Sequence, residues 1–155
     1  MPVQVGQEAP DFTLKNQAGE HVTLSSFRGA QNVVLMFYPL AFSGVCTRQF
    51  TDLSAREGRY ADEQAQVLGI SVDSFHGQAA FAKSLGLNAT TMLADFEPKG
   101  AVARDYGVYL DERGHSTRAT FVIDKQGIVQ RAEVVATPEV PDEDAVMAAL
   151  TTCNI

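Results

Sequence analysis

A chain of 155 residues, 45% hydrophobic and 20% charged, has the size and composition of one globular domain spanning residues 1–155, and its longest apolar run is too short to cross a bilayer. The formal charge of −7 repels phosphate backbones and anionic membranes, and no Lys/Arg cluster offsets it, which excludes nucleic acid and membrane as expected partners. The N-terminus lacks the basic region and apolar run of a secretory signal, so the expected location is cytoplasmic.

In chain order, residues 12–15 and 21–24 alternate in polarity around Asn16-Gln17-Ala18-Gly19-Glu20, the pattern of a hairpin with one buried face. Residues 33–38 are continuously apolar, as a strand covered on both faces requires. From Gly44 to about Ala61 the spacing of Cys46, Phe50 and Leu53 predicts a helix with Cys46 on its inward stripe and its sulfur in a pocket. Residues 67–72 read as a second interior strand, followed by Asp73 or Ser74 as the cap of a helix ending near Gly86. A short strand is expected at 91–94, then a brief helix opened by Pro98 and stopped by Gly107. Residues 119–123 and 128–135 form an antiparallel hairpin about Asp124-Lys125-Gln126-Gly127. Asp142 caps a last helix with Val146, Met147 and Leu150 inward and Cys153 at its frayed end. Parallel strand-helix units followed by a hairpin and a helix predict an α/β fold with a mixed central sheet flanked by helices.

The stretch with chemical content is Pro39-Leu40-Ala41-Phe42-Ser43-Gly44-Val45-Cys46, between a buried strand and a helix. A thiol in the first turn of a helix meets unpaired backbone N–H groups and the positive end of the helix dipole, and both favour thiolate. Free cysteine is also a common core residue, so the position alone leaves a packing role open. With Ser43 as N-cap, Cys46 is the residue whose N–H the cap hydroxyl accepts, and that hydroxyl also lies within reach of the sulfur. Pro39 has no N–H, and it either walls the sulfur or punctuates the loop. Two cysteines are too few for a disulfide scaffold and lack zinc-site spacing. His21, His76 and His115 show no ligand spacing and read as surface or satisfied polar residues.

Pro39-x-x-x-Ser43-x-x-Cys46 after a buried strand, together with Gly6-Gln7-Glu8-Ala9-Pro10-Asp11-Phe12-Thr13-Leu14 and Thr117-Arg118-Ala119-Thr120-Phe121-Val122-Ile123-Asp124, resembles the peroxiredoxins. Within them, the chain is most similar to the small alkyl hydroperoxide reductase E group of actinobacterial type, commonly one-cysteine enzymes. The resemblance implies a thioredoxin fold with an N-terminal hairpin extension and an antioxidant peroxidase that reduces hydrogen peroxide, organic hydroperoxides or peroxynitrite. It makes Cys46 the peroxidatic cysteine, Ser43 the peroxide-binding hydroxyl, Pro39 the shielding residue and Arg118 the guanidinium that completes the site. From sequence alone Arg118 is a solvent-exposed charge before a strand. Many members carry Glu three residues after the cysteine to hold the arginine; here Gln49 stands there, an acceptor without charge.

The implied chemistry is attack of the thiolate on one peroxide oxygen, giving a sulfenic acid and water or an alcohol. No metal, flavin or nucleotide enters this half of the cycle, so no cofactor is expected. Regeneration falls to an external thiol, a mycothiol/mycoredoxin system or thioredoxin, or alternatively to Cys153 as a resolving thiol, which in many two-cysteine members sits on a C-terminal arm reaching the partner subunit. The resemblance also implies a homodimer. A redox sensor that binds a partner according to the state of Cys46, without turnover, is the rival of another class. A disulfide oxidoreductase is disfavoured, because the residues three before and three after Cys46 are Ser43 and Gln49.

Overall fold

The computed structural model describes residues 2–136 and 138–154. Its elements are β1 (Thr13–Asn16), β2 (His21–Thr23), β3 (Asn32–Phe37), α1 (Gly44–Ser54), α2 (Glu57–Asp62), β4 (Ala65–Ser71), α3 (Phe75–Leu85), β5 (Thr91–Ala94), α4 (Ala101–Asp105), β6 (Tyr109–Leu110), β7 (His115–Ser116), β8 (Arg118–Ile123), β9 (Val129–Val135) and α5 (Glu143–Cys153). Seven strands form one sheet in the order β2-β1-β5-β4-β3-β8-β9. The β3-β4 and β4-β5 pairs are parallel, whereas β8 runs antiparallel to both β3 and β9. The N-terminal hairpin joins antiparallel to β5, as an extension of the sheet. The fold is thioredoxin-like α/β with a mixed sheet.

Side-chain alternation along β3 divides the core between the two sheet faces. Val33, Leu35 and Phe37 pack with Phe12, Tyr106 and Phe121. Val34 and Met36 pack with Cys46, Phe50 and Leu53 of α1, Phe81 of α3 and Val146 and Leu150 of α5. Every residue of β3 is buried, as its continuous apolar run requires. The chain leaves the carboxyl ends of β3, β4 and β5 at one end of the sheet, where functional groups of open α/β sheets gather.

Two helices depart from their expected bounds. The helix from Gly44 ends at Ser54, and α2 begins separately at Glu57. Thr51 and Ser54 hydroxyls donate to Thr47 and Thr51 carbonyls, a back-bonding that weakens and bends a helix. The break also sets the Glu57 carboxylate against the N–H groups of Asn88, Ala89 and Thr90, a tertiary contact that local periodicity does not show. The brief helix α4 starts at Ala101, not at Pro98, because Gly100 turns through a left-handed φ of 72° and Asp95 fills the first donors by accepting from Val102 and Ala103 N–H. Between Asp73 and Ser74, Ser74 is the cap of α3, accepting from Gly77 N–H.

Candidate active site

Gly44 opens α1 at the carboxyl end of β3, which places Cys46 third in the helix with its side chain on the inward stripe shared with Phe50 and Leu53. The thiol is fully buried, 0% exposed. Arg118 enters from the other side. It begins β8, opposite Val135 of β9, and is 1% exposed despite its charge. The strand pairing that sets Ala119 beside Phe37 brings the preceding residue level with the start of the 39–43 loop, so the guanidinium reaches over to α1. Its Nη1 lies 3.2 Å from Cys46 Sγ and 2.6 Å from Gln49 Oε1. Cys46 and Gln49 are three apart on one helix face, so a single guanidinium nitrogen spans both. The reading of Arg118 as an exposed charge is corrected by these contacts.

Gln49 is itself buried and holds the arginine through a neutral carbonyl, while among the described residues its Nε2 has no hydrogen-bond partner. The site therefore carries a cation against the sulfur without a neighbouring carboxylate on Gln49 to neutralise it.

Ser43 occupies the N-cap position, with φ −69° and ψ 154°, but its side chain makes no capping bond. The hydroxyl donates instead to Leu40 O at 2.8 Å, which corrects the expected cap. The cause is the turn before the helix: Phe42 adopts a left-handed φ of 67°, and Ser43 N–H approaches Leu40 O at 3.4 Å, so that carbonyl lies nearest the hydroxyl. With its proton so engaged, Ser43 Oγ presents lone pairs to a ligand.

A cleft of about 380 Å³ opens above this turn. Pro39, Leu40 and Val45 form an apolar wall, and Arg113, His115 and Arg118 line it as well. Cys46 does not itself line the cleft; the sulfur lies in contact with Arg118, which does. The expectation that the sulfur faces directly into a pocket is corrected to this extent. Beneath the site, Tyr38 and Phe81 rings pack on Phe50, and burial pushes the Tyr38 phenol well above its ordinary range, so it stays protonated.

Arg113 and His115 are cleft residues that the sequence does not mark. His115 is half-buried, with Nδ1 2.8 Å from Ser116 O, the satisfied polar alternative of its expected roles. No local spacing marks it, because β6 and β7 are two residues each and carry no period.

Cys153 lies elsewhere. It is the last residue of α5 rather than part of a frayed tail, half-buried against the apolar cluster on that face. Asn154, next to it, accepts from Asn32 Nδ2 at 2.9 Å and donates to Glu63 O at 2.8 Å, which pins this helix end to the amino end of β3. Cys46 sits at the carboxyl end of that six-residue strand, about 20 Å away at the rise of an extended chain. Burial, with the charge of Asp124, pushes the Cys153 thiol up.

The family model described as AhpC/TSA matches residues 5–132. Alkyl hydroperoxide reductase E of Mycobacterium bovis is 40% identical over 153 residues, covering 96% of this chain and 99% of that protein. Among solved structures, a reduced 2-Cys peroxiredoxin of Plasmodium vivax aligns with a TM-score of 0.86 at 29% identity, over 99% of this chain and 83% of that one. Peroxidoxin BcpB from Mycobacterium tuberculosis aligns with a TM-score of 0.85 at 29% identity, over 96% and 97%. With a buried cysteine in the first turn of a helix beside an arginine and a family match over most of its length, the chain belongs to the AhpC/TSA family of peroxiredoxins, the thiol-dependent peroxidases.

Proposed function

We propose that Cys46 is the peroxidatic cysteine of this thiol-dependent peroxidase, with Arg118, Ser43 and Pro39 completing its site and Gln49 positioning the arginine. The observation that carries this reading is the buried guanidinium nitrogen 3.2 Å from a sulfur in the first turn of α1. A cation and helix N–H groups beside the sulfur stabilise the thiolate. The thiolate attacks the nearer peroxide oxygen, an S–O bond forms as the O–O bond breaks, and the departing oxygen takes up a proton as water or alcohol. Arg118 and the first-turn N–H groups are donors for the negative charge that grows on the departing oxygen, while Ser43 Oγ accepts the peroxide O–H. Pro39 and Leu40 narrow the cleft and keep bulk water from the sulfenic acid.

Regeneration is assigned to an external thiol, of the mycothiol/mycoredoxin or thioredoxin kind, and not to Cys153 of the same chain. A disulfide needs Cα atoms within about 7 Å; Cys153 is separated from Cys46 of its own chain by the length of β3, and its place in α5, beside an Asn154 tied to Asn32 and Glu63, holds it back from a partner's Cys46. Cys153→Ser is expected to turn over peroxide at the wild-type rate with an added thiol reductant. A Cys153-dependent disulfide on a non-reducing gel after one equivalent of peroxide contradicts this assignment.

The reading includes a homodimer in a reducing compartment such as the cytoplasm. Phe42 and Phe96, 57% and 55% exposed, are large apolar groups that a second copy would cover. Sedimentation velocity is expected to show twice the chain mass, and a monomer across the micromolar range refutes the dimer. No helix among the described residues is long and apolar enough to cross a membrane.

A further inference from the structure

Beyond the sulfur's own contacts, the 39–43 loop is tied down by one carboxylate on a different element. Asp73, in the turn after β4, accepts from Ala41 N–H with Oδ2 at 2.8 Å. The same oxygen accepts from Ser71 Oγ at 2.6 Å. Ser71, 2% exposed, accepts in turn from Gln78 Nε2 at 3.0 Å, and that fully buried amide also donates to Leu93 O at 2.7 Å. Asp73 is thus fixed through β4, α3 and β5 before it touches the loop.

The loop it holds is under strain. Phe42, next to Ala41, is a bulky residue at a φ of 67°, a conformation that persists only where surrounding contacts impose it. One such contact is its ring against Phe81 at 5.2 Å between centroids. A second tie within the chain, and one from a different element, is Ala41 N–H on Asp73. Leu40 O, the Ser43 hydroxyl it receives and the first turn of α1 all follow from this conformation.

We propose that Asp73 is a positioning residue of the peroxidase, acting through Ala41 N–H to hold the strained loop that presents Ser43 and the α1 N-terminus to peroxide. The proposal rests on the reading of Cys46 as the reacting sulfur. It has opposite consequences for the two halves of the cycle. Peroxide attack needs the closed loop, with its donors and acceptor in place. Attack by a reductant thiol on the sulfenic sulfur, which gives a mixed disulfide and releases water, brings in a group bulkier than peroxide and so needs a wider opening over a residue that is 0% exposed when the loop is closed. Releasing the anchor slows the first step and speeds the second.

The test compares wild type, Asp73→Ala and Asp73→Asn by stopped flow, measuring oxidation by hydrogen peroxide separately from reduction of the sulfenic form by a small monothiol. Loss of a charge-assisted hydrogen bond that governs loop closure is expected to lower the Asp73→Ala oxidation rate by about tenfold or more, with faster reduction. Asparagine keeps an oxygen for Ala41 N–H, so Asp73→Asn is expected to restore most of the oxidation rate. Wild-type oxidation in Asp73→Ala, or a fall in both half-reactions without rescue by asparagine, overturns the proposal. If Asp73→Ala does not fold, hydrogen exchange of the wild-type Ala41 amide decides: protection supports the anchor, and exchange at the unprotected rate refutes it. Peroxide consumption by Cys46→Ser would instead remove the underlying reading, whereas an inactive Cys46→Ser beside an unaffected Asp73→Ala removes only the anchor.

Discussion

Cys46→Ser is expected to abolish peroxide consumption while leaving the fold in place. Serine is smaller than cysteine by little more than the difference between oxygen and sulfur, and position 46 sits in a cluster whose walls are the Phe50, Tyr38 and Leu53 side chains. Its hydroxyl can receive from Arg118, which already donates to the sulfur, so the buried polar atom need not go unpaired. Chemistry is a different matter. A neutral hydroxyl is no nucleophile toward an O–O bond without a base, and among the described residues none of the side chains contacting this position supplies one. Stopped-flow consumption of hydrogen peroxide, with circular dichroism to verify folding, checks both halves of the expectation. Consumption by a folded Cys46→Ser protein at the wild-type rate would sink the assignment of the reacting atom.

The second large effect belongs to Arg118. Its guanidinium is buried and donates to both the sulfur and Gln49 Oε1. Arg118→Ala removes the cation that stabilises the thiolate and a donor for the departing oxygen, and loss of such a preorganised donor typically costs about 10²–10³ in rate. It also leaves Gln49 with its carbonyl unpaired beside an amide nitrogen that has no partner among the described residues, at a cost of about 1–3 kcal/mol for a buried unsatisfied group. Arg118→Lys separates charge from geometry. An ammonium keeps the cation but cannot reproduce the planar fork of donors, so an intermediate rate is expected. A peroxide rate in Arg118→Ala within twofold of wild type contradicts a role for the guanidinium in the reaction. Thermal unfolding of the two variants reports the packing cost independently.

Much of the framework is legible in the chain because its signals are local. The β3 run from Val33 to Phe37 is apolar at every position, and a strand in the middle of a sheet is the arrangement that covers both of its faces. Ser74 and Gly86 bracket α3 by capping chemistry that operates within one turn. Cys46, Phe50 and Leu53 share a stripe whatever the stripe packs against. The break at Ala55 and the late start of α4 were less visible, because each depends on a carboxylate, Glu57 or Asp95, that finds its N–H partners in another segment or across a turn.

The site divides along the same line. By itself, the sequence determined that a cysteine stands in the first turn of a helix after a buried strand, and the family motifs nominated its partners. Only the tertiary structure decided that Arg118 is buried against that sulfur, that the Ser43 hydroxyl turns to Leu40 rather than to the helix, that Asp73 reaches Ala41, and that Cys153 lies at the far end of β3. The physical reason is that helix and strand periods are set by neighbouring side chains a few residues apart. The partner of a polar group is set by which distant segment the sheet order brings beside it, and β8 lies next to β3 although eighty residues of chain intervene.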